Sequence, residues 1–323
     1  MPPTITIDIV DDVGRDRHDV EALAERAAPA GHPSALNEAG LLNLRYPRQD
    51  VRHLLCRTGG ELVGYGQLEL APAVDTGQLM VSPVARRRGI GRALLGALLR
   101  EAEHPLQLWA QGDPPAAAAL AREFGLERVR ALSIMTRPLD DDLPDLPPPP
   151  GVTIRAFAPG SDEDSWLAVN ARAFAHHPEQ GRITRADLAE RMAEPWFDPA
   201  GFLLAERGGQ VIGFHWTKQQ AGRLGEVYVI GVDPDAGGGG VGRSLLFAGL
   251  RHLRERGNTE VELYVESDHE RAIGLYTGAG FTESSRDVLY RRGPSGQVLS
   301  GGSLSSATSL PRPGPGVSAA VAP

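Results

Sequence analysis

Hydrophobic and polar residues follow the same order of patterns in each half of the chain. In the second half, residues 202–206 and 211–218 are rich in apolar residues and flank Arg207-Gly208-Gly209-Gln210, which is typical of a β-hairpin. Residues 226–232 are rich in β-branched and aromatic residues, and residues 261–266 alternate apolar with polar positions. Both segments therefore predict strands.

Two helices are predicted, one between these two strands and one after the second. Residues 242–256 carry apolar side chains at the spacing of one helical face, namely Leu245, Leu246, Leu250 and Leu253. Residues 272–278 predict a short helix, and Gly280 can adopt the left-handed conformation that ends it. Each half thus predicts the order strand, turn, strand, glycine turn, helix, strand, helix, strand.

The two halves repeat each other at one constant offset around the glycine turn. Val81-Ser82-Pro83 and Gly89-Ile90-Gly91-Arg92 correspond to Val232-Asp233-Pro234 and Gly240-Val241-Gly242-Arg243. Because the matches occur in the same order, we predict two tandem domains of the α/β (α+β) class. Each is expected to hold a mixed, mostly antiparallel sheet flanked by helices.

The length of 323 residues suits two such domains. Residues 139–151 are acidic and include four consecutive prolines, which predicts a stiff, solvated linker. Small and polar residues dominate from position 293 onward, which predicts a disordered tail. The expected domains are therefore residues 1–138 and 152–292, with the linker at 139–151 and the tail at 293–323.

Composition excludes several classes of partner. A net charge of −8 argues against nucleic acid. The first residues lack the features of a signal peptide, and no run of 18 apolar residues predicts a membrane span. The single cysteine, Cys56, excludes a disulfide framework, and its apolar neighbours favour a buried side chain over a catalytic thiol. We expect a cytoplasmic monomer without a metal site.

The segment 81–92 lies between a predicted strand and a predicted helix and suits a pyrophosphate. The first helical turn offers N–H groups without a helical partner, and the helix dipole favours an anion there. The glycines allow a phosphate group to approach the backbone closely, and the arginines add positive charge. A solvated, glycine-led helix start is the alternative, while a P-loop or a dinucleotide motif fits worse.

This segment resembles the coenzyme-A signature of the GNAT superfamily of acetyltransferases, in which a strand is followed by V-x-P, R-R-x-G-x-G and a helix. The resemblance implies acetyl-CoA as acyl donor, held in a gap between two parted strands. In the first half it implies contacts from Leu79, Met80, Val81, Arg87, Arg88, Gly89, Ile90, Gly91 and Arg92. In the second half the implied contacts are Ile230, Gly231, Val232, Gly237, Gly238, Gly239, Gly240, Val241, Gly242, Arg243, His269, Glu270, Arg271, Ala272, Ile273 and Gly274.

The second loop departs from that signature, because Gly237 to Gly240 replace its cationic side chains. Backbone donors remain, but four glycines cost more entropy to order. We therefore expect weaker cofactor binding in the second half, with Arg243 as a compensating cation.

Longer strings resemble the mycothiol synthases, a tandem-domain family within that superfamily. They include Ala175-His176-His177-Pro178-Glu179-Gln180-Gly181, Gly213-Phe214-His215-Trp216-Thr217-Lys218 and Leu263-Tyr264-Val265-Glu266-Ser267-Asp268. The resemblance implies acetylation of the cysteinyl amine of a cysteinyl-glucosaminyl-inositol. It also implies substrate contacts from Glu38, Glu179, Lys218, Glu226 and Tyr264.

Acetylation of an amine needs a base for the ammonium proton and an acid for the departing thiolate. Glu226 stands beside the expected gap and is the candidate base, with a solvent-facing carboxylate as the alternative. The resemblance makes Tyr276 the candidate acid, with simple packing as the alternative. The repeat offset sets Asp75 opposite Glu226, and the glycine turns set Ala121 opposite Tyr276. The first half is therefore expected to bind cofactor without catalysing the reaction.

Two other functions fit the same residues. One is acetylation of another small amine, such as an amino acid, a peptide N-terminus or an aminoglycoside. The other is a non-catalytic acyl-CoA sensor, which the glycine-only second loop favours.

Overall fold

A computed structural model describes residues 5–29, 34–139, 143–175, 180–220, 222–236 and 239–292. The predicted tail at 293–323 lies outside these ranges. The described residues form two compact units. The first comprises those up to Ala131 together with 286–292, and the second comprises those from Leu132 to Ser285.

The first unit begins with a strand and two helices that cover its sheet. Its elements are β1 (Thr6–Val10), α1 (Arg17–Ala27), α2 (Glu38–Arg45), β2 (Val51–Thr58), β3 (Glu61–Glu69), β4 (Asp75–Val81), α3 (Ile90–Glu101), β5 (Leu106–Ala110), α4 (Pro115–Glu123) and the start of β6 (Leu126–Pro138).

The second unit repeats this order. Its elements are the rest of β6, then β7 (Val152–Ala156), α5 (Glu163–Ala173), α6 (Arg185–Met192), β8 (Phe202–Arg207), β9 (Gln210–Gln219), β10 (Leu224–Val232), α7 (Val241–Glu255), β11 (Glu260–Glu266), α8 (Glu270–Gly278) and the start of β12 (Thr282–Arg292). No helix among the described residues is both long enough and apolar enough to span a bilayer.

The strand order is β1-β2-β3-β4-β5-β12 in the first unit and β6-β11-β10-β9-β8-β7 in the second. β4 pairs with β5, and β10 with β11, in parallel, while the other recorded pairs are antiparallel. β12 completes the first unit by pairing with β5, and β6 completes the second by pairing with β11. The final strand of each half thus belongs to the other unit. The domain bounds 1–138 and 152–292 stay a prediction.

Both sheets are covered by helices on each face. In the second unit, the four leucines predicted for one helical face of α7 are buried in a core that includes Val227 and Ile230 of β10. On the other face, Trp166 of α5 packs edge-to-face against Phe202, Phe214 and Trp216. The predicted periodicity of α7 is therefore confirmed.

The predicted strands and helices of the second half are all present, with ends shifted by one or two residues. β1, α1 and α2, and their counterparts β7, α5 and α6, were not in the predicted order. Cys56 is buried, as expected. The prediction of a wholly solvated linker is wrong at Leu139 and Leu143, because both side chains are buried in the core of the second unit.

Candidate active site

Each unit contains a gap between its two parallel strands. The pairing of β10 with β11 ends at Glu226 and Glu262, although both strands continue for several residues. The pairing of β4 with β5 likewise ends at Gly77 and Leu108. The strands part beyond these residues, as the resemblance to GNAT enzymes implied.

A β-bulge lies at the gap in the second unit. Val227 pairs with Thr217 and Val229 with Trp216, so Tyr228 is an extra residue in β10. A bulge bends its strand and increases the local twist, which helps to part β10 from β11. It also places one more residue between Glu226 and Gly240 than lies between Thr76 and Gly89 in the first unit.

Because of this extra residue, the counterpart of Glu226 in the first unit is Thr76 and not the predicted Asp75. Glu226 pairs with Lys218 on β9, and in the first unit the matching pair is Thr76 with Glu69 on β3. The β11 partner, Glu262, likewise corresponds to Gln107, the partner of Thr76. The prediction was wrong because a constant offset ignores the inserted residue.

Backbone groups of β10 face the gap. The N–H of Asp233 donates to the carbonyl of Ile212 on β9, with N and O 2.8 Å apart. Because successive residues of a strand direct their backbone groups to opposite sides, Val232 and Ile230 direct theirs away from β9 and into the gap. An extended chain can therefore add there, and an N–H near Ile230 can polarise a carbonyl oxygen.

The helix starts beyond the gap have open space for an anion. α7 follows Gly239 and Gly240, which have φ of 62° and 90°, and α3 follows Gly89, with φ of 83°. Apart from the chain neighbours of these three glycines, no described residue places a heavy atom within 4 Å of where a Cβ would stand. The first helical turns offer N–H groups at these points, so the residues fit a bound pyrophosphate.

The predicted cations have different surroundings. Arg87 and Arg88 are exposed, and Arg87 has a positive φ of 64°. Arg92 is paired with Glu123, with Nε and Oε1 2.8 Å apart. In the second unit the exposed Arg243 lies over the ring of Phe247. Gly237 and Gly238 lie outside the described residues.

The start of α8 is the third predicted cofactor segment. The His269 side chain caps the helix by accepting a hydrogen bond from the N–H of Ala272 at 3.2 Å. Ala272 is buried, whereas a Cβ added at Gly274 would meet no described residue outside the helix backbone. Contacts from Glu270, Arg271 and Ile273 to a cofactor stay a prediction.

Glu226 is buried, with 1% of its surface exposed, so the alternative of a solvent-facing carboxylate is wrong. The absent side chain of Gly225 would meet Leu253 of α7, so Glu226 points to the opposite face of the sheet. Its Oε2 accepts a hydrogen bond from Nε2 of Gln220 and lies 4.0 Å from Nζ of Lys218.

Lys218 and Tyr264 lie on the same face as Glu226. Nζ of Lys218 is 4.7 Å from the ring centre of Trp196 and 5.1 Å from that of Tyr228, which favours the charged ammonium. Tyr264 is two residues along β11 from Glu262, the partner of Glu226, and is also buried. Three of the five predicted substrate residues are therefore brought together.

Tyr276 lies on the other face of this sheet. Its side chain is fully buried with Val261, Leu263 and Val265, and its ring meets Phe281 edge-on. Burial raises the pKa of the Tyr276 phenol well above its usual value. The hydroxyl therefore keeps its proton, as an acid must, while the packing contacts that formed the alternative are also present.

Comparison with known proteins places this geometry in a family. The Acetyltransferase (GNAT) family matches residues 17–126 and 169–281. Mycothiol acetyltransferase from Thermobispora bispora is 51% identical over 296 residues, which cover 90% of this chain and all of that protein. The enzyme of the same name from Thermomonospora curvata is 52% identical over 278 residues, covering 85% of this chain and 93% of the relative. The chain belongs to the GNAT family, in its mycothiol acetyltransferase branch.

The fold agrees with this assignment. A tandem GNAT protein from the clavulanic acid biosynthesis pathway superposes with a TM-score of 0.70 at 22% identity, covering 90% of this chain and 100% of that one. At that identity the likeness concerns the fold alone. GNAT acetyltransferases use acetyl-CoA as the acyl donor, and this GNAT chain is accordingly an N-acetyltransferase.

The first GNAT unit has neutral residues at the positions of the catalytic candidates. Thr76 replaces Glu226, and its hydroxyl accepts a hydrogen bond from Gln107 at 3.0 Å. Ala121 is the seventh residue of the nine-residue α4, as Tyr276 is of the nine-residue α8. Asp75 accepts hydrogen bonds from the backbone N–H groups of Ala71, Glu103 and His104, so it stabilises a turn.

The two remaining predicted substrate residues have different outcomes. Glu38 begins α2 of the first GNAT unit and is half-buried. Glu179 lies outside the described residues. Their role in substrate binding stays a prediction.

Sequence reasoning missed Gln220, Arg191 and Trp196 as neighbours of the site. Arg191 of α6 is buried and donates to the Tyr228 hydroxyl at 2.8 Å. No motif contains Gln220 or Arg191, since one lies in a turn and the other on a helix that the hydrophobic pattern did not predict. The string Trp196-Phe197-Asp198-Pro199 was the available signal for Trp196.

Proposed function

We propose that this protein transfers the acetyl group of acetyl-CoA to the cysteinyl amine of cysteinyl-glucosaminyl-inositol, giving mycothiol and CoA. The observation that carries the chemistry is a buried carboxylate, Glu226, at the point where β10 parts from β11. The acceptor is proposed from the mycothiol acetyltransferases that share about half of its residues.

Glu226 is the proposed general base. Its carboxylate takes a proton from the acceptor ammonium, directly or through one water, and frees the nitrogen lone pair for attack. Lys218 lies beside the same carboxylate oxygen and favours its ionised form. Together with Tyr264, Lys218 also offers hydrogen-bond donors for sugar hydroxyls.

Tyr276 is the proposed general acid. It stands on the opposite face of the sheet from Glu226, so a base and an acid flank the gap from two sides. Its retained proton can pass to the departing thiolate sulfur, which lowers the cost of breaking the thioester. Bound acetyl-CoA supplies an activated acetyl group as a thioester.

The backbone of the gap is proposed to hold the acyl donor. Ile230 and Val232 offer backbone groups to the pantetheine arm, and N–H groups at the start of α7 face the pyrophosphate. The first unit offers Leu79, Val81 and the start of α3 for the same purpose. With Thr76 and Ala121 in place of the base and acid, we propose that this unit binds cofactor without catalysis.

Turnover with purified acceptor tests the function. We expect CoA release, quantified by chromatography under acetyl-CoA saturation, to be at least tenfold faster with cysteinyl-glucosaminyl-inositol than with amino acids, a peptide N-terminus or aminoglycosides. A preference for one of those amines would replace the proposed acceptor. Tight acetyl-CoA binding without turnover of any amine would indicate a sensor.

Valine at the capping glycines tests the two cofactor sites. Gly240→Val forces a β-branched residue into a left-handed conformation, which costs about 1–2 kcal/mol, so we expect roughly tenfold lower kcat/KM for acetyl-CoA. Gly89→Val is the matched change in the first unit. It should weaken one of the two sites in a calorimetric titration about tenfold and lower turnover less than Gly240→Val does. A larger loss of turnover in Gly89→Val would place catalysis in the first unit.

A further inference from the structure

Gln220 contacts the proposed base from a turn that no motif includes. It follows β9, and its backbone N–H donates to the carbonyl of Leu224 at 2.9 Å, which holds Gln220 beside the start of β10. Its side-chain Nε2 donates to Oε2 of Glu226. Gln220 also lines a cleft of about 380 Å³ with Trp196, Thr217 and His252. Gln220 thus lies between an open cleft and a buried carboxylate.

We propose that Gln220 is a positioning residue for acetyl transfer, whose side-chain amide holds the Glu226 carboxylate in the orientation that accepts the ammonium proton. This inference rests on the proposed function of Glu226. Hydrogen bonds to an ionised carboxylate are shorter and stronger than neutral ones, so an amide donor can fix the orientation of the group. A general base works only when its oxygen is within reach of the proton.

The neighbours of Glu226 show why a neutral donor is useful there. Lys218 from β9 lies 4.0 Å from the same oxygen, Glu262 pairs with Glu226 from β11, and Tyr228 follows on β10 with Arg191 of α6 on its hydroxyl. Lys218 and Arg191 are cationic side chains, whereas Glu262 is an acidic one. Gln220 adds a hydrogen bond without adding charge, so it orients the carboxylate without changing the balance of charge around it.

The first unit lacks both partners of this contact. Gln220 lies two residues after Lys218 on the chain. The counterpart of Lys218 in the first unit is Glu69, and Ala71 lies two residues after Glu69. Ala71 offers no side-chain donor, and Thr76 stands in place of Glu226. The donor and the carboxylate are therefore absent together from the unit that is proposed not to catalyse.

Gln220→Met tests the proposal because it keeps the length of the side chain and removes the donor. We expect kcat to fall about tenfold with KM for acetyl-CoA unchanged, and the acid limb of the pH profile to move upward, since the ionised carboxylate loses a stabilising hydrogen bond. Gln220→Asn keeps the amide but withdraws it by one methylene, and should change both quantities in the same direction.

Gln219→Met is the matched control, because the Gln219 amide bonds to Asn258 rather than to Glu226. In a Glu226→Gln background, Gln220→Met should cause no further loss, whereas a purely structural residue would cause the same loss in both backgrounds. Wild-type kcat and an unmoved acid limb in Gln220→Met, or an equal loss in the Glu226→Gln background, would overturn the inference. Absence of wild-type turnover with every amine would instead overturn the proposed function.

Discussion

Glu226→Gln is expected to lower kcat by about 10²–10⁴-fold under saturating substrates, the range for loss of a general base. The amide keeps the size of the side chain but cannot accept the ammonium proton. KM for acetyl-CoA should change little, because the parted backbone and the helix starts are unaffected. The measurement is steady-state CoA release across pH, in which the acid limb of the wild-type profile should also disappear.

Glu260→Gln is the control for this variant. Glu260 is two residues from Glu262 on the same strand and is exposed, so the change removes a carboxylate without touching the site. We expect its kcat and pH profile to match those of the wild type. Full turnover in Glu226→Gln would show that another group, or a chain of waters, takes the proton.

Tyr276→Phe is expected to lower kcat by about 10²-fold, at the lower end for loss of a general acid, because a thiolate is a fair leaving group without protonation. Burial holds the pKa of Tyr276 above its usual value, so the wild-type hydroxyl keeps its proton across the assay range. The variant is to be assayed for CoA release, with melting temperature measured alongside.

Tyr290→Phe provides a matched loss of a hydroxyl, because the Tyr290 hydroxyl donates to Asp113 in the first unit, at 3.0 Å. Its turnover should equal that of the wild type. If Tyr276→Phe melts at the wild-type temperature and turns over at the wild-type rate, Tyr276 is a packing residue. A loss that tracks a lower melting temperature in a set of Tyr276 and Phe281 variants would lead to the same conclusion.

Local patterns were enough to predict much of the second unit. The strand–turn–strand pattern, the leucine spacing of α7 and the glycine turn before it each depend on residues close together in sequence, and all three were confirmed. α5 and α6 were missed because their apolar residues are fewer and less regularly spaced. Trp166 of α5 nevertheless lies at the centre of the aromatic core.

The identity of several candidate residues could be predicted, but their surroundings could not. Glu226, Lys218 and Tyr264 were named through resemblance, and the sheet brings them to one face because they lie on three adjacent strands. Their surroundings could not be predicted, since the burial of Glu226 and its contact with Gln220 depend on how β9, β10 and β11 pair. The sequence also did not predict that β6 pairs with β11 and β12 with β5, because the final strands of the two halves have similar patterns.

The sequence by itself determined that the chain is a duplicated acyltransferase fold, with a glycine turn at the start of one helix in each half. It could do so because helix starts and hydrophobic periods are set by neighbouring residues. Tertiary structure alone decided that Tyr228 bulges, so that Thr76 rather than Asp75 corresponds to Glu226. Strand register is fixed by packing between distant segments, and the bulge offsets every residue before it by one position from its counterpart in the other unit.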